Sequence, residues 1–175
     1  MKRKTKIRFG RFVGAVLAIA LAIGAQTGQA YASESVDSFV LTETTARPDF
    51  DNPDMEWTTV GGNVNARGVH LYDCYIGRSY SSEGLYMEFS TACSADAEKV
   101  GVSDIEVHKK IGIFWSRVAY NAGDYEENDY SYGGYATYSG VEYGKTYRVS
   151  CRHYAYVDGE YIYLDNVTDG WKYTY

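Results

Sequence analysis

From Gly68 onward apolar and polar residues alternate. In the run Leu85-Tyr-Met-Glu-Phe-Ser-Thr-Ala-Cys93, the side chains of Leu85, Met87, Phe89, Thr91 and Cys93 share one side, because successive strand side chains point to opposite faces. The same period covers Val69–Ile76, Asp104–His108, Phe114–Tyr120, Thr146–Val157 and Glu160–Asp165, and Lys172–Tyr175 adds a short last run. Glycines punctuate the gaps, among them Gly84, Gly101, Gly112, Gly140, Gly144 and Gly159. No apolar stripe at helical spacing outlasts one turn. Short strands at such intervals predict an all-β domain over residues 68–175, an antiparallel β-sandwich of about seven short strands.

The sharpest local signal is Tyr154-Ala-Tyr-Val-Asp158-Gly159-Glu-Tyr-Ile-Tyr163. Asp-Gly accepts the positive φ angles of a two-residue hairpin turn. That turn would set Tyr156 opposite Tyr161, Tyr154 opposite Tyr163 and Arg152 opposite Asp165. Val149, Cys151, His153, Ala155, Ile162 and Leu164 would then share the core face. The outer face becomes a four-tyrosine ladder ending in an ion pair, and such cross-strand pairs contribute about 0.2–1 kcal/mol each.

Residues before Gly68 follow other rules. Lys2, Arg3, Lys4, Lys6, Arg8 and Arg11 precede the apolar run Phe12–Ala25, and Ala30-Tyr31-Ala32 closes the segment with small residues. This order predicts a secretory signal peptide over 1–32, cut after Ala32 or, as second choice, Ala30. The apolar run is too short for a spanning helix, which needs about 20 residues. Residues 33–67 hold both prolines and a run of acids and lack a sustained period, so they read as a flexible acidic leader, with Phe39–Leu41 or Trp57 as points that dock on the domain. Six of the 17 basic groups lie in the signal and none of the 23 acids does, so its removal doubles the net charge from −6 to −12. An acidic, exported chain is expected to avoid nucleic acid and, once the signal is cut, to leave the membrane.

Cys74, Cys93 and Cys151 would meet an oxidising exterior. Three cysteines allow one internal bridge and one leftover thiol. Cys93 and Cys151 both fall on the expected inner face, a placement that resembles the inter-sheet disulfide of immunoglobulin-like sandwiches. The competing pair is Cys74–Cys93, which a hairpin centred between Glu83 and Gly84 would set face to face.

Catalytic signatures are sparse. Cys151 and His153 share a face without a third orienting group, and His70, His108 and His153 match no zinc spacing. Gly140–Thr146 has the wrong gap for a phosphate loop. Asp124–Asp129 gathers carboxylates but lacks the order of a calcium loop, so it reads as a solvated loop. No metal and no cofactor is predicted.

Tyrosine is the compositional oddity, with 19 in the chain. Tyr120, Tyr125, Tyr130, Tyr132, Tyr135, Tyr138 and Tyr143 crowd a polar, Gly-rich stretch, and Tyr154, Tyr156, Tyr161 and Tyr163 form the ladder. Tyrosine offers a large, stiff surface with a polar tip, which suits recognition of a glycan or an extracellular protein.

The order Thr146-Tyr147-Arg148-Val149-x-Cys151-x-His153, a short hairpin, then Thr168-Asp169-Gly170 resembles a family of uncharacterised small secreted proteins of Gram-positive bacteria. Arg67-Gly68, Thr91-Ala92-Cys93, Asp104-Ile105-Glu106-Val107 and Trp115 fall in similar order upstream. That group is similar to immunoglobulin or fibronectin-like sandwiches, and the resemblance carries over no catalytic residues. Tyr147, just after Gly144, looks like a tyrosine corner. The reading at this level is a secreted, non-enzymatic binding module with Tyr154, Tyr156, Tyr161, Tyr163 and Arg152 as its contact residues. The alternatives are a secreted hydrolase of cell-wall or environmental polymers, and a structural surface or matrix protein.

Overall fold

The computed structural model describes residues 36–44, 48–61 and 68–175. The expected signal peptide, its cut at Ala32 and leader residues 33–35, 45–47 and 62–67 lie outside the described residues. Nine strands form: β1 (Asp37–Ser38), β2 (Thr42–Glu43), β3 (Glu56–Val60), β4 (Leu71–Ser81), β5 (Gly84–Ile111), β6 (Phe114–Tyr138), β7 (Thr146–Val157), β8 (Glu160–Val167) and β9 (Trp171–Lys172). No helix occurs among the described residues, so the chain is all-β as its period predicts.

Hydrogen-bond ladders join all nine strands into one open mixed sheet. Its axis is the antiparallel pair β5–β6, which stays matched from Leu85↔Tyr138 to Ile111↔Phe114. The other edge of β5 is shared. Its first half pairs with β4, which in turn carries β3, and its second half pairs with β7, which carries β8 and β9. Side chains of the two halves meet across one buried cluster that includes Ile76, Phe89, Val102, Ile105, Val149 and Ile162. Thr91 on the first half touches His153 on the second, and Asn166 on β8 donates to the carbonyl of Thr58 on β3.

The strands are fewer and far longer than the short runs expected between Gly84 and Tyr138: β5 spans 28 residues and β6 spans 25. Bulges, not breaks, absorb the changes of direction. Pairing slips between Ala92 and Ala97, between Ser103 and Glu106, and between Tyr72 and Tyr75. Asp73, Asp104 and Asn128 take positive φ beside these slips, a conformation that short Asp and Asn side chains tolerate. Asp124–Asp129, expected as a loop, and the crowded tyrosines from Tyr120 to Tyr138 accordingly lie on β6, while Tyr143 lies in the turn beyond it.

The leader also departs from expectation. Although it lacks a strand period of its own, its described residues supply β1 and β2 to the outer edge of β6 and β3 to the outer edge of β4. Phe39 enters the core and its carbonyl accepts from Asn121 at 2.8 Å. Trp57 lies over Gly77, where an added Cβ would strike the indole. Arg78, 1% exposed, holds this arrangement together: it donates to Glu56 at 2.7 Å, to Thr168 Oγ1 at 3.0 Å and to the carbonyl of Asp169.

Candidate functional site

The hairpin of β7 and β8 has the register that its Asp-Gly turn dictates. Asp158 and Gly159 take φ 51 and 77, and Arg152↔Asp165, Tyr154↔Tyr163 and Tyr156↔Tyr161 pair as expected. Cys151, His153, Ala155 and Ile162 are buried on the inner face, while Tyr156, Tyr161 and Tyr163 are exposed and Tyr154 is half-buried. Ring centroids stand 5.6 Å apart for Tyr154–Tyr161 and 5.7 Å for Tyr161–Tyr163.

Pairing across β5 widens this face. Gly101 sits between Tyr125 and Tyr154, and Lys99 sits between Glu127 and Tyr156. A Cβ on Gly101 would collide with the Asp124 carbonyl and with Tyr125, so glycine lets β6 close in and lays Tyr125 at the edge of the same surface. The Lys99 ammonium caps the Tyr125 ring at 4.1 Å. Burial, aided by Tyr161, Tyr125 and Asp124, pushes the Tyr154 phenol up to about 12.

Charge gathers at one end. Arg152 donates to both oxygens of Asp165, at 2.8 and 3.4 Å, and its guanidinium lies 4.5 Å over Tyr163. Beyond it opens a depression of about 750 Å³, lined by Asp37, Asp104, Glu106, Arg117, Tyr120 and Arg152 among others. Burial alone would raise the Glu106 carboxyl, but hydrogen bonds from Arg117 at 2.7 Å and His108 at 2.9 Å outweigh it and hold it below the usual range. Glu88 and Glu126, whose carboxyls burial raises, do not line this depression.

No family model matches the chain, and no curated protein and no solved structure matches it either. Side-chain chemistry alone therefore carries the reading.

The Cys151–His153 pair is a sealed structural motif. Thr91 donates its hydroxyl to the Gly101 carbonyl at 3.1 Å, so at its 2.7 Å contact with His153 Nδ1 the imidazole must donate. That fixes Nε2 as the acceptor, which takes a hydrogen bond from Asn166 at 3.2 Å and faces the Cys151 sulfur at 3.5 Å. Burial lowers the imidazole to about 3 and drives the Cys151 thiol upward, so the pair is neutral and no thiolate forms.

All three cysteines are free and buried, and the expected bridge is not formed in either version. Cys74 falls inside the bulge between Tyr72 and Tyr75 and Cys93 stands opposite Leu71, so the facing pair that an even hairpin would create does not arise. Among the described residues no group of three His, Cys, Asp or Glu side chains could hold a metal ion. The Gly140–Thr146 stretch forms the turn into β7, where the Tyr147 hydroxyl accepts from the Glu142 backbone N–H at 2.8 Å.

Tyr154, Tyr156, Tyr161, Tyr163 and Arg152 are thus brought together. Tyr125, Lys99 and Asp104 join them unannounced. The one trace of this in the sequence is the glycine in Val100-Gly101-Val102, a residue with nothing to pack in a strand that otherwise alternates. Of the crowded tyrosines, Tyr132 and Tyr138 are buried, and Tyr135 stacks on Tyr86 at 6.1 Å.

Proposed function

We propose that this chain is a secreted, non-catalytic binding module, built as an immunoglobulin or fibronectin-like sandwich, whose tyrosine face takes a carbohydrate chain. The observation that carries the proposal is the row of rings Tyr125, Tyr154, Tyr161 and Tyr163 on one sheet face, Tyr154 half-buried and the others exposed, with no aliphatic residue among them. Flat phenols stack on the C–H faces of sugars while their hydroxyls exchange hydrogen bonds with the ring substituents. The Arg152–Asp165 fork at the end of the row presents a donor and an acceptor in fixed geometry. The folded-over sheet with its single core, and the Tyr147 hydroxyl bonded to backbone upstream, support the sandwich reading.

Hydrolysis fits less well. Glycoside cleavage needs one carboxyl kept protonated beside a second, and Glu106 in the depression is held ionised by Arg117 and His108. A matrix protein linked through its odd thiol would need that thiol at the surface, and all three are buried.

The test is titration calorimetry against a panel of oligosaccharides and cell-wall fragments, compared with the double variant Tyr154→Ser, Tyr161→Ser. Loss of the two rings is expected to weaken binding by at least about tenfold, near 1.4 kcal/mol. Unchanged affinity in the double variant would remove this face from the account.

A further inference from the structure

The turn between β5 and β6 breaks the economy of the rest of the surface. Gly112 takes φ 61, and the two-residue turn Gly112-Ile113 thrusts its neighbours outward: Ile111 is 49% exposed, Ile113 82% and Phe114 72%. Three exposed apolar side chains within four residues of a hairpin tip have no strand, turn or core reason to be apolar, since the turn itself asks only for glycine. Behind the tip, Trp115 is covered by two cations, Arg148 at 4.5 Å from its ring centre and Lys110 at 5.8 Å.

The same end of the molecule is basic. Lys109 pairs with Tyr147 on the ladder, which sets Lys145 level with the tip, and Thr146 pairs with Lys172. Glu142 is engaged by Lys109 at 2.7 Å, and the Asp169 carboxylate is the other acid near these cations. Lys109, Lys110, Lys145, Arg148 and Lys172 thus stand around three exposed apolar residues in a chain whose formal net charge is −6.

We propose that this tip docks on an anionic lipid bilayer, with Ile111, Ile113 and Phe114 entering the headgroup–acyl boundary and the basic collar meeting the phosphates. Apolar insertion coupled to basic residues is how peripheral proteins hold anionic interfaces. The occupant is argued from charge complementarity: apolar side chains ringed by cations match a surface that is apolar within and anionic at its rim. Such a tip holds an interface without a spanning segment.

The experiment is vesicle co-sedimentation of residues 33–175, the chain that the expected cut after Ala32 leaves, which holds every strand of the described residues. Retention is expected on phosphatidylglycerol vesicles, well above that on phosphatidylcholine, and it should collapse as salt rises from about 0.05 M to about 0.5 M. Phe114→Asp with Ile113→Asp, both at exposed positions, is expected to lower retention at least tenfold with an unchanged circular dichroism spectrum. Tyr154→Ser with Tyr161→Ser should bind vesicles as the parent does, which separates this inference from the carbohydrate reading. Equal retention by the charged-tip variant, equal retention on neutral vesicles, or a tip-dependent dimer in ultracentrifugation with bare vesicles would each overturn the proposal.

Discussion

His153 shows how much one buried side chain sets. It sits on the inner face at 0% exposure, bonded to Thr91 and Asn166, and burial lowers its imidazole to about 3 from an ordinary 6.5. Between those values the unfolded chain binds a proton that the folded chain refuses, so stability is complete above about pH 6.5 and falls as the pH drops. By about pH 5 the loss reaches about 2 kcal/mol. Urea titrations at about pH 7 and about pH 5 are expected to show this difference shrinking by about that amount in His153→Gln. The inward face of His153 was legible from the alternation around it. Asn166 follows from the hairpin register, which sets it opposite Cys151 on the same face; Thr91 does not, because it stands on the part of β5 that pairs with β4 rather than with β7.

At the level of the element, legibility followed the turn chemistry. The Asp158-Gly159 dipeptide fixed the pairing of β7 with β8 residue for residue. The part of β6 beyond Tyr120 hid itself, because Asp124, Glu126, Glu127, Asn128 and Asp129 disfavour strands as isolated residues and are held there by pairing with β5. The same pairing makes Gly101 costly to replace. A methyl there meets the Asp124 backbone rather than a movable side chain. Gly101→Ala is therefore expected to lower stability by about 1–3 kcal/mol, read by chemical denaturation, and to displace the Tyr125 ring from the outer face. A small loss in Gly101→Ala, near that of an open surface site, would mean that β5 and β6 lie farther apart.

Over the whole molecule, Arg78 joins segments that are distant in sequence: Glu56 on β3, Thr168 after β8, and the Asp169 carbonyl. Nothing in the pattern around Arg78 announces this, since a lone arginine within an alternating strand reads as an outward-facing charge. Arg78→Ala is expected to cost about 3 kcal/mol in a urea melt, reduced from the fully buried case because Glu56 is half-exposed. Lysine should recover less than half of that, since one ammonium cannot serve both sides of the fork. Strand β3 shares the consequence, for without Arg78 its anchor through Glu56 is lost.

The unbroken course of β5 and β6 has a thermal corollary. Each lobe borrows its central two ribbons from the other, so neither possesses a skeleton it could keep while its twin melts. Heating should give one calorimetric endotherm, with matching van't Hoff and measured enthalpies, instead of a staggered pair. Damage at either extremity, whether at the Gly112 tip or at Gly84, would then be felt as a single lowered melting point throughout.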